Sequence, residues 1–172
     1  YILGFQAGSE SLDVSWNDLA RVEFDATGQM TRSADLLFLG GGTNVDSERE
    51  KYAVFSEFYP QISNDLDLKV SARYEKVGDE SSFDPKLSIK KYANKNLILR
   101  GSLGTSFAMP SLGQLYSANT SLNNVAGNFI RVSKVGNPEL KPQSSTNLNF
   151  GIIYLNGERK FSLDYWQIDY KD

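Results

Sequence analysis

The stretch LDLKVSARYE, Leu66 to Glu75, alternates apolar and polar side chains without a break over ten residues. An alternation of period two is that of a β-strand with one apolar and one polar face. Ten residues is also about the length at which a tilted strand crosses a lipid bilayer. A soluble sheet with one wet face gives the same pattern, however. This strand by itself therefore leaves water and lipid equally open as its surroundings.

Six further segments repeat this alternation, which predicts seven strands of about ten residues in all. Each of the added strands has one face without charge; on the strand at 51–60 that face holds Tyr52, Val54, Ser56 and Phe58. The six segments are residues 1–12, 51–60, 83–90, 97–107, 145–154 and 161–165. The repetition predicts an all-β protein built as one antiparallel sheet, in which the charge-free faces lie together.

The connections between these strands distinguish lipid from water. Tight turns follow the second, fourth and sixth strands, whereas long segments rich in Gly, Asn, Ser and Asp, 14–48 and 108–143, follow the first and fifth. Short turns that alternate with long loops are typical of outer-membrane barrels, with the loops outside. The connection at 77–82 is short and departs from this rule. We therefore expect an antiparallel transmembrane β-barrel segment, with the charge-free faces against lipid.

The number of strands bears on whether the barrel is complete. Seven is odd, and an open sheet would leave two unpaired edges in lipid, where backbone groups need partners. We therefore expect residues 1–172 to be part of one barrel domain whose remaining strands this chain does not contain. No run of eighteen apolar residues occurs, which argues against a membrane-spanning helix.

Composition narrows the chemistry. The chain has no Cys and no His, which removes thiol nucleophiles, Ser-His-Asp triads and the usual zinc sites. Its net charge of -3 gives little support to a nucleic-acid surface. We predict no enzyme activity, no cofactor and no metal, and Ser71 and Asp164 are interpreted as polar groups of the barrel interior. Metal binding by the acidic residues Asp46, Glu48 and Glu50 is conceivable, but their spacing is generic and predicts no metal site.

Four aromatic residues of the long segments can stack on a ligand, although a loop aromatic more often packs against its own loop. They are Trp16, Phe38, Tyr116 and Phe129. Since packing within the loop is the commoner role, we assign no ligand-binding residue from the sequence, and the ligand-binding site is unknown at this level.

Four segments in order carry a resemblance to a known family. They are FDPKLSIKKY (83–92), LRGSLGTSFAMPSLGQLY (99–116), GNPELKPQSSTNLNFGI (136–152) and FSLDYWQIDYKD (161–172). Together they resemble the C-terminal half of the barrel of TonB-dependent outer-membrane receptors. Phe107, Pro110 and Ser111 match the family's corner at the end of a strand, and 137–142 match its Asn-Pro-x-Leu-Lys-Pro element. Ala108 and Gln143 depart, standing where the family usually has Arg and Glu.

The resemblance implies fold and function together. It implies about seven strands of a larger, 22-stranded barrel in the outer membrane of a Gram-negative bacterium. It also implies contact with outer-membrane lipid and TonB-coupled uptake of a scarce ligand, with TonB acting through a plug segment outside this chain. Related barrels take iron chelates, cobalamin, sugars or peptides. The alternative from another class is a soluble carbohydrate- or protein-binding β-sandwich, in which the apolar faces would meet in one shared core.

Overall fold

The computed structural model describes residues 1–35 and 40–171. Strands make up most of this part of the chain, and one short helix accompanies them. The elements are β1 (Ile2–Val14), β2 (Glu23–Phe24), β3 (Met30–Arg32), β4 (Gly41–Gly42), β5 (Val45–Phe58), β6 (Gln61–Ser63), β7 (Leu66–Val77), β8 (Glu80–Tyr92), β9 (Leu97–Ala108), α1 (Leu112–Tyr116), β10 (Asn119–Val125), β11 (Asn128–Lys134), β12 (Gln143–Asn156) and β13 (Arg159–Lys171). Among the described residues, no helix is long and apolar enough to cross a membrane.

Seven long strands form one antiparallel sheet in the order β1-β5-β7-β8-β9-β12-β13, with the short β6 paired to β7. The predicted all-β fold and the seven predicted strands are confirmed, and most of the strands extend beyond their predicted ends. The chain divides into two compact units. The sheet unit comprises Tyr1–Gly8, Glu50–Met109 and Pro142–Asp172, and the loop unit comprises Ser9–Arg49 and Pro110–Lys141.

One face of the sheet unit is apolar and exposed. Directly opposed residues of antiparallel strands lie on the same face, and the register aligns one apolar side chain from each of five neighbouring strands. The row consists of Phe58, Val70, Leu87, Leu103 and Leu148, and each side chain is between 42% and 56% exposed. The sandwich alternative required these side chains to meet in a core, so the described residues do not favour it.

The apolar part of this face is slanted relative to the strand register. On β12 and β13 it runs through the pairs Phe150 with Tyr165 and Ile152 with Leu163. The next residue of β13 on this face is Gln167, opposite Leu148, where the apolar row of the other strands ends. The band therefore shifts along the strands from β5 to β13. Such a shift is expected when strands tilt across a membrane-spanning layer of fixed height.

The opposite face of the sheet unit is polar and carries an ion pair that crosses a strand. Arg100 and Asp164 lie on either side of Gly151 in the register. Two hydrogen bonds, at 3.0 Å from Nε and 2.6 Å from Nη2, join the guanidinium to the Asp164 carboxylate. A Cβ at Gly151 would lie 2.1 Å from Asp164 Oδ1, so glycine leaves the path between the partners clear.

Other polar residues continue this face. Arg73 donates to Gln6 of β1 at 3.1 Å, and Asn147 donates to Ser106 at 3.0 Å. Ser71, interpreted from sequence as a polar group of the interior, lies opposite Lys86 in the register. The register places four of the polar residues on this one face; they are Arg73, Arg100, Asn147 and Asp164.

The predicted long loops differ from the structure in two ways. β5 begins at Val45 and β12 at Gln143, so the connecting segments are 15–44 and 109–142. These segments also contain short strands and α1, whereas the sequence showed only turn-rich composition. Two of the pairings among the short strands are local hairpins, β2 with β3 and β10 with β11. The pairing of β4 with β10 joins segments far apart in sequence, which no local pattern predicts. The short connections are confirmed, and the one between β7 and β8 is a two-residue turn, Gly78-Asp79, with Gly78 at φ 59°.

Candidate functional site in the loop unit

The loop unit has a small apolar core of its own. Val22 is completely buried, and Leu112, Leu115 and Ala118 are less than a tenth exposed. Backbone hydrogen bonds connect the two segments of the unit, since the Thr43 amide donates to the Ala118 carbonyl at 2.9 Å. The Ala118 amide donates back to the Thr43 hydroxyl at 3.1 Å. The segment 15–44 and the segment 109–142 are therefore built together.

The helix α1 begins with a capping box. The Gln114 amide donates to the Ser111 hydroxyl at 3.2 Å, and the Ser111 amide donates to the Gln114 side chain at 2.8 Å. The Ser-x-x-Gln spacing at 111–114 is the sequence signature of this motif. This signal could have predicted the helix, which the sequence analysis missed. Ser111 thus connects the end of the Phe-x-x-Pro-Ser corner to an ordered element.

The end of α1 contacts the segment that opens the Asn-Pro-x-Leu-Lys-Pro element. The Asn137 amide donates to the Gln114 carbonyl at 3.0 Å. A Cβ at Gly136 would lie 2.7 Å from the Leu115 carbonyl oxygen, a backbone atom. Only glycine allows so close an approach without movement of the backbone. Gly136 and Asn137 therefore hold residues 135–139 against the helix.

The β2–β3 hairpin presents a carboxylate in a defined position. Oδ1 of Asp25 accepts hydrogen bonds from the Thr27 amide at 2.9 Å, the Thr27 hydroxyl at 2.7 Å and the Gln29 amide at 2.9 Å. The Thr27 hydroxyl and then the Gln29 amide hold the pKa of Asp25 below its usual value. Asp25 is therefore ionised at neutral pH and fixed in orientation, with Oδ2 facing away from these three donors.

A pocket of about 630 Å³ lies among these elements, and we call it the loop pocket. Leu115 and Ala118, which are buried, contribute to its apolar lining. Its polar and aromatic lining includes Phe24, Asp25, Asn44, Tyr116, Asn137 and Glu139. A volume of this size is typical of pockets that take organic ligands. Asp25 and Glu139 were not singled out from sequence, because a turn aspartate and an exposed glutamate are common in any loop.

The aromatic residues named from sequence have different environments. The Trp16 indole packs over Gly42, where an added Cβ would lie 2.4 Å from its ring. Tyr116 lines the loop pocket and is 45% exposed, and Phe129 on β11 is 71% exposed. Phe38 lies outside the described residues. Of the three that are described, Tyr116 alone contributes to the loop pocket.

The acidic residues named from sequence do not form a metal site within the described ranges. Glu50 accepts a hydrogen bond from the Tyr52 hydroxyl at 2.7 Å. Over residues 1–35 and 40–171, no group of three or more acidic side chains lies close enough together to hold a metal ion.

The two departures from the family motifs are neighbours in space. Ala108 and Gln143 are directly opposite one another in the pairing of β9 with β12. The family's usual residues at these two positions, Arg and Glu, carry opposite charges. Because the two positions face each other across the ladder, the absence of both Arg and Glu leaves neither charge without its counterpart.

The fold identifies the class of protein. The family model for the TonB dependent receptor-like β-barrel matches residues 2–172 of the chain. The chain therefore belongs to the TonB-dependent receptor β-barrel family. The resemblance seen in the strand-end and loop motifs is confirmed.

Particular relatives include a probable TonB-dependent siderophore receptor, PirA, from Acinetobacter baumannii, which is 25% identical over 139 residues. That match covers 78% of this chain and 18% of the receptor. The crystal structure of the siderophore receptor PirA from Acinetobacter baumannii aligns with a TM-score of 0.74 and 20% identity, covering 99% of this chain and 24% of that one.

The ferric enterobactin receptor PfeA from Pseudomonas aeruginosa, solved in complex with enterobactin, also aligns with a TM-score of 0.74. The identity is 19%, and the alignment covers 98% of this chain and 24% of the receptor. These likenesses establish the fold. The chain spans about a quarter or less of the length of the receptors that it matches.

Proposed function

We propose that this chain forms part of the barrel of an outer-membrane receptor that takes up an iron chelate by TonB-coupled transport. The observation that carries the proposal is the slanted apolar face of the sheet unit. It suits the hydrocarbon layer of the outer membrane of a Gram-negative bacterium, where tilted strands present a continuous apolar band. The polar face, with Arg73, Arg100, Asn147 and Asp164, faces the barrel interior. The protein is a receptor and transporter rather than an enzyme.

The ligand class is supported by the relatives. The similar receptors are described by name as siderophore receptors and as a ferric enterobactin receptor. An iron chelate is therefore favoured over cobalamin, a sugar or a peptide. TonB acts on this receptor through a plug segment outside this chain. The loop unit, which contains the two long connections between barrel strands, contributes to the outer vestibule where the chelate is captured.

Uptake of radioactive iron by whole cells tests this function. The full-length receptor would be expressed in a strain lacking other chelate receptors, with ferric enterobactin and ferrioxamine B as probes. We expect accumulation of at least one chelate that requires both the receptor and TonB. Accumulation that persists without TonB would contradict the coupling. Failure of a broad panel of iron chelates to accumulate would contradict the proposed ligand class.

A further inference from the structure

The sheet unit is forked between β8 and β9. Their pairing ends at Lys86 and Gly104, although both strands continue beyond this pair. Residues 80–85 of β8 and 105–108 of β9, all of them described, are not paired with each other. On their other sides these two arms are fully paired, the first with β7 and the second with β12. We call this split the fork; it lies at one seam and leaves the strands on either side intact.

The residues at the fork explain why the ladder stops there. Pro85 is the first residue of β8 beyond the last pair, and proline has no N–H to donate. A Cβ at Gly104 would lie 3.0 Å from the Pro85 carbonyl oxygen and 2.9 Å from the Lys86 side chain. The backbone of Pro85 therefore lies close to β9, and the missing donor falls on that side. A proline in a sheet normally sits on an edge strand, and here it makes a local edge inside the sheet.

One carboxylate bridges the fork. Oδ1 of Asp84 accepts a hydrogen bond from the Thr105 hydroxyl at 3.0 Å, and Oδ2 accepts one from the Ser82 hydroxyl at 2.9 Å. Among the described residues, the bond from Thr105 is the one side-chain hydrogen bond that crosses from arm to arm. Thr105 is exposed and Asp84 is half-buried. The two arms can therefore part by breaking one accessible contact, while both neighbouring ladders stay whole.

The arm of β9 leads directly into the long connection 109–142. This connection begins after Ala108 and ends before Gln143, and these two residues are opposed in the pairing of β9 with β12. Because residues 105–108 are paired with β12 and not with β8, both ends of the connection are held by the same pair of strands. A displacement of the β9–β12 pair at the fork therefore moves both ends of the connection together.

We propose that the fork is a hinge in the barrel wall, with Pro85 and Gly104 as its pivot and the hydrogen bond between Asp84 and Thr105 as its latch. Proteins avoid open strand edges both in water and in lipid, so a proline that keeps one open indicates a use for the parted strands. The role of the movement rests on the proposed function: the β9–β12 pair carries the ends of the connection 109–142 outward as a chelate enters and back once it is bound.

Amide hydrogen exchange tests the fork apart from any transport. In the purified full-length receptor, Pro85→Val supplies the missing N–H on a side chain that favours strands. Exchange of the amides of residues 105–108 should slow about five-fold, as expected for one ladder hydrogen bond regained. Ala72→Val is the matched control, because Ala72 lies opposite Pro85 on the fully paired side, and it should change this exchange by less than about two-fold. Equal exchange in the wild type and Pro85→Val would overturn the role of the proline.

A disulfide across the fork tests the hinge. Positions 84 and 106 would be opposed if the register of β8 and β9 continued, and the chain has no native Cys. Asp84→Cys with Ser106→Cys, once oxidised, holds the arms together. The matched control is Ser88→Cys with Ser102→Cys, which are opposed in the paired part of the same strands. Oxidation of the fork pair should lower chelate uptake by cells at least about five-fold and reduction should restore it, whereas the control pair should change uptake by less than about two-fold.

The outcomes separate the hinge from the transport function. Unchanged uptake with a fully oxidised fork pair would overturn the hinge. Failure of the fork pair to oxidise where the control pair does would overturn it as well, because arms that never approach within disulfide distance cannot close. Absence of uptake in the wild type would contradict the proposed function and the role of the movement, while slower exchange in Pro85→Val would leave the fork and its proline standing.

Discussion

The sheet unit and the loop unit differ in where their apolar side chains lie. Of the nine buried apolar residues in the described chain, six lie in the loop unit. They are Val22, Ala34, Val45, Leu112, Leu115 and Ala118. The sheet unit instead exposes large apolar residues, such as Leu103 at 52% and Leu163 at 75%. The loop unit therefore holds most of the buried apolar residues of the described chain, whereas the sheet unit carries an exposed apolar face.

The difference shows that the two units are built for different solvents. In water, apolar area is removed from solvent because its hydration is unfavourable. In a bilayer, an outward apolar face meets hydrocarbon, and the polar residues turn to the interior. The charge distribution agrees, since the sheet unit has equal numbers of acidic and basic residues and the loop unit is acidic.

The largest expected effect concerns the side of the membrane on which the long connections and the short turns lie. The chain has no native Cys, so single cysteines can be introduced at the exposed positions Asn128 and Lys95. In the full-length receptor, Asn128→Cys should react with an impermeant maleimide on intact cells because the long connections lie outside. Lys95→Cys, in the turn between β8 and β9, should react only after the outer membrane is opened. Labelling of Lys95→Cys alone on intact cells would invert the topology.

The next effect tests whether the exposed apolar face contacts lipid. Leu103 lies between Leu87 and Leu148 in the apolar row. In the full-length barrel, Leu103→Arg should destabilise the folded state by about 2–4 kcal/mol if it lies near the bilayer midplane. Its matched control is Ser102→Arg, on the polar face between Ser88 and Asn149, and it should cost much less. Equal losses in folding titrations into lipid vesicles would refute the assignment of the two faces.

A smaller effect tests the packing of the loop unit. A Cβ at Gly136 would press on the backbone oxygen of Leu115, so Gly136→Ala should destabilise the unit by about 1–3 kcal/mol through overpacking. Gly113→Ala is the matched control, because its added Cβ meets nothing closer than 3.7 Å. In a helix this control should stabilise by roughly 0.5–1 kcal/mol. Amide hydrogen exchange at α1 measures both, and equal protection in the two variants would contradict the close contact.

The smallest effect is a pH dependence at the turn between β6 and β7. The Lys91 ammonium, first among the causes, lowers the pKa of Asp65 from 3.8 to about 2. Because the folded-state pKa is depressed, this contribution to stability is present above about pH 4 and is lost as the pH falls toward 2. Asp65→Asn should flatten the acid dependence of exchange in the turn before β7. Asp79→Asn, in the turn between β7 and β8, serves as the control and should leave that dependence in place.

Much of the sheet could be predicted because its physical cause is local. A strand with two different faces must alternate every second residue, and LDLKVSARYE shows this directly. The corner at Pro110 was also readable, since proline cannot donate to a ladder and β9 ends at Ala108. The helix α1 has an equally local cause, since its Ser-x-x-Gln signature is present in the sequence at 111–114.

The loop pocket could not be predicted in the same way. Asp25 and Glu139 are more than a hundred positions apart in the sequence, and no local rule links a hairpin turn to the Asn-Pro-x-Leu-Lys-Pro element. The pocket depends on the approach of Gly136 to Leu115 and on the hydrogen bonds between Thr43 and Ala118. Such contacts join segments that are far apart in sequence, and no periodic pattern of residues predicts them.

The strands, their two faces and the positions of the connections follow from the amino-acid sequence, because backbone geometry imposes them residue by residue. The register arises in the folded sheet, where it slants the apolar band and brings Ala108 opposite Gln143. The same register lets Arg100 reach Asp164 across Gly151. Register is the outcome of many cross-strand contacts at once, so it belongs to the assembled sheet rather than to any one strand.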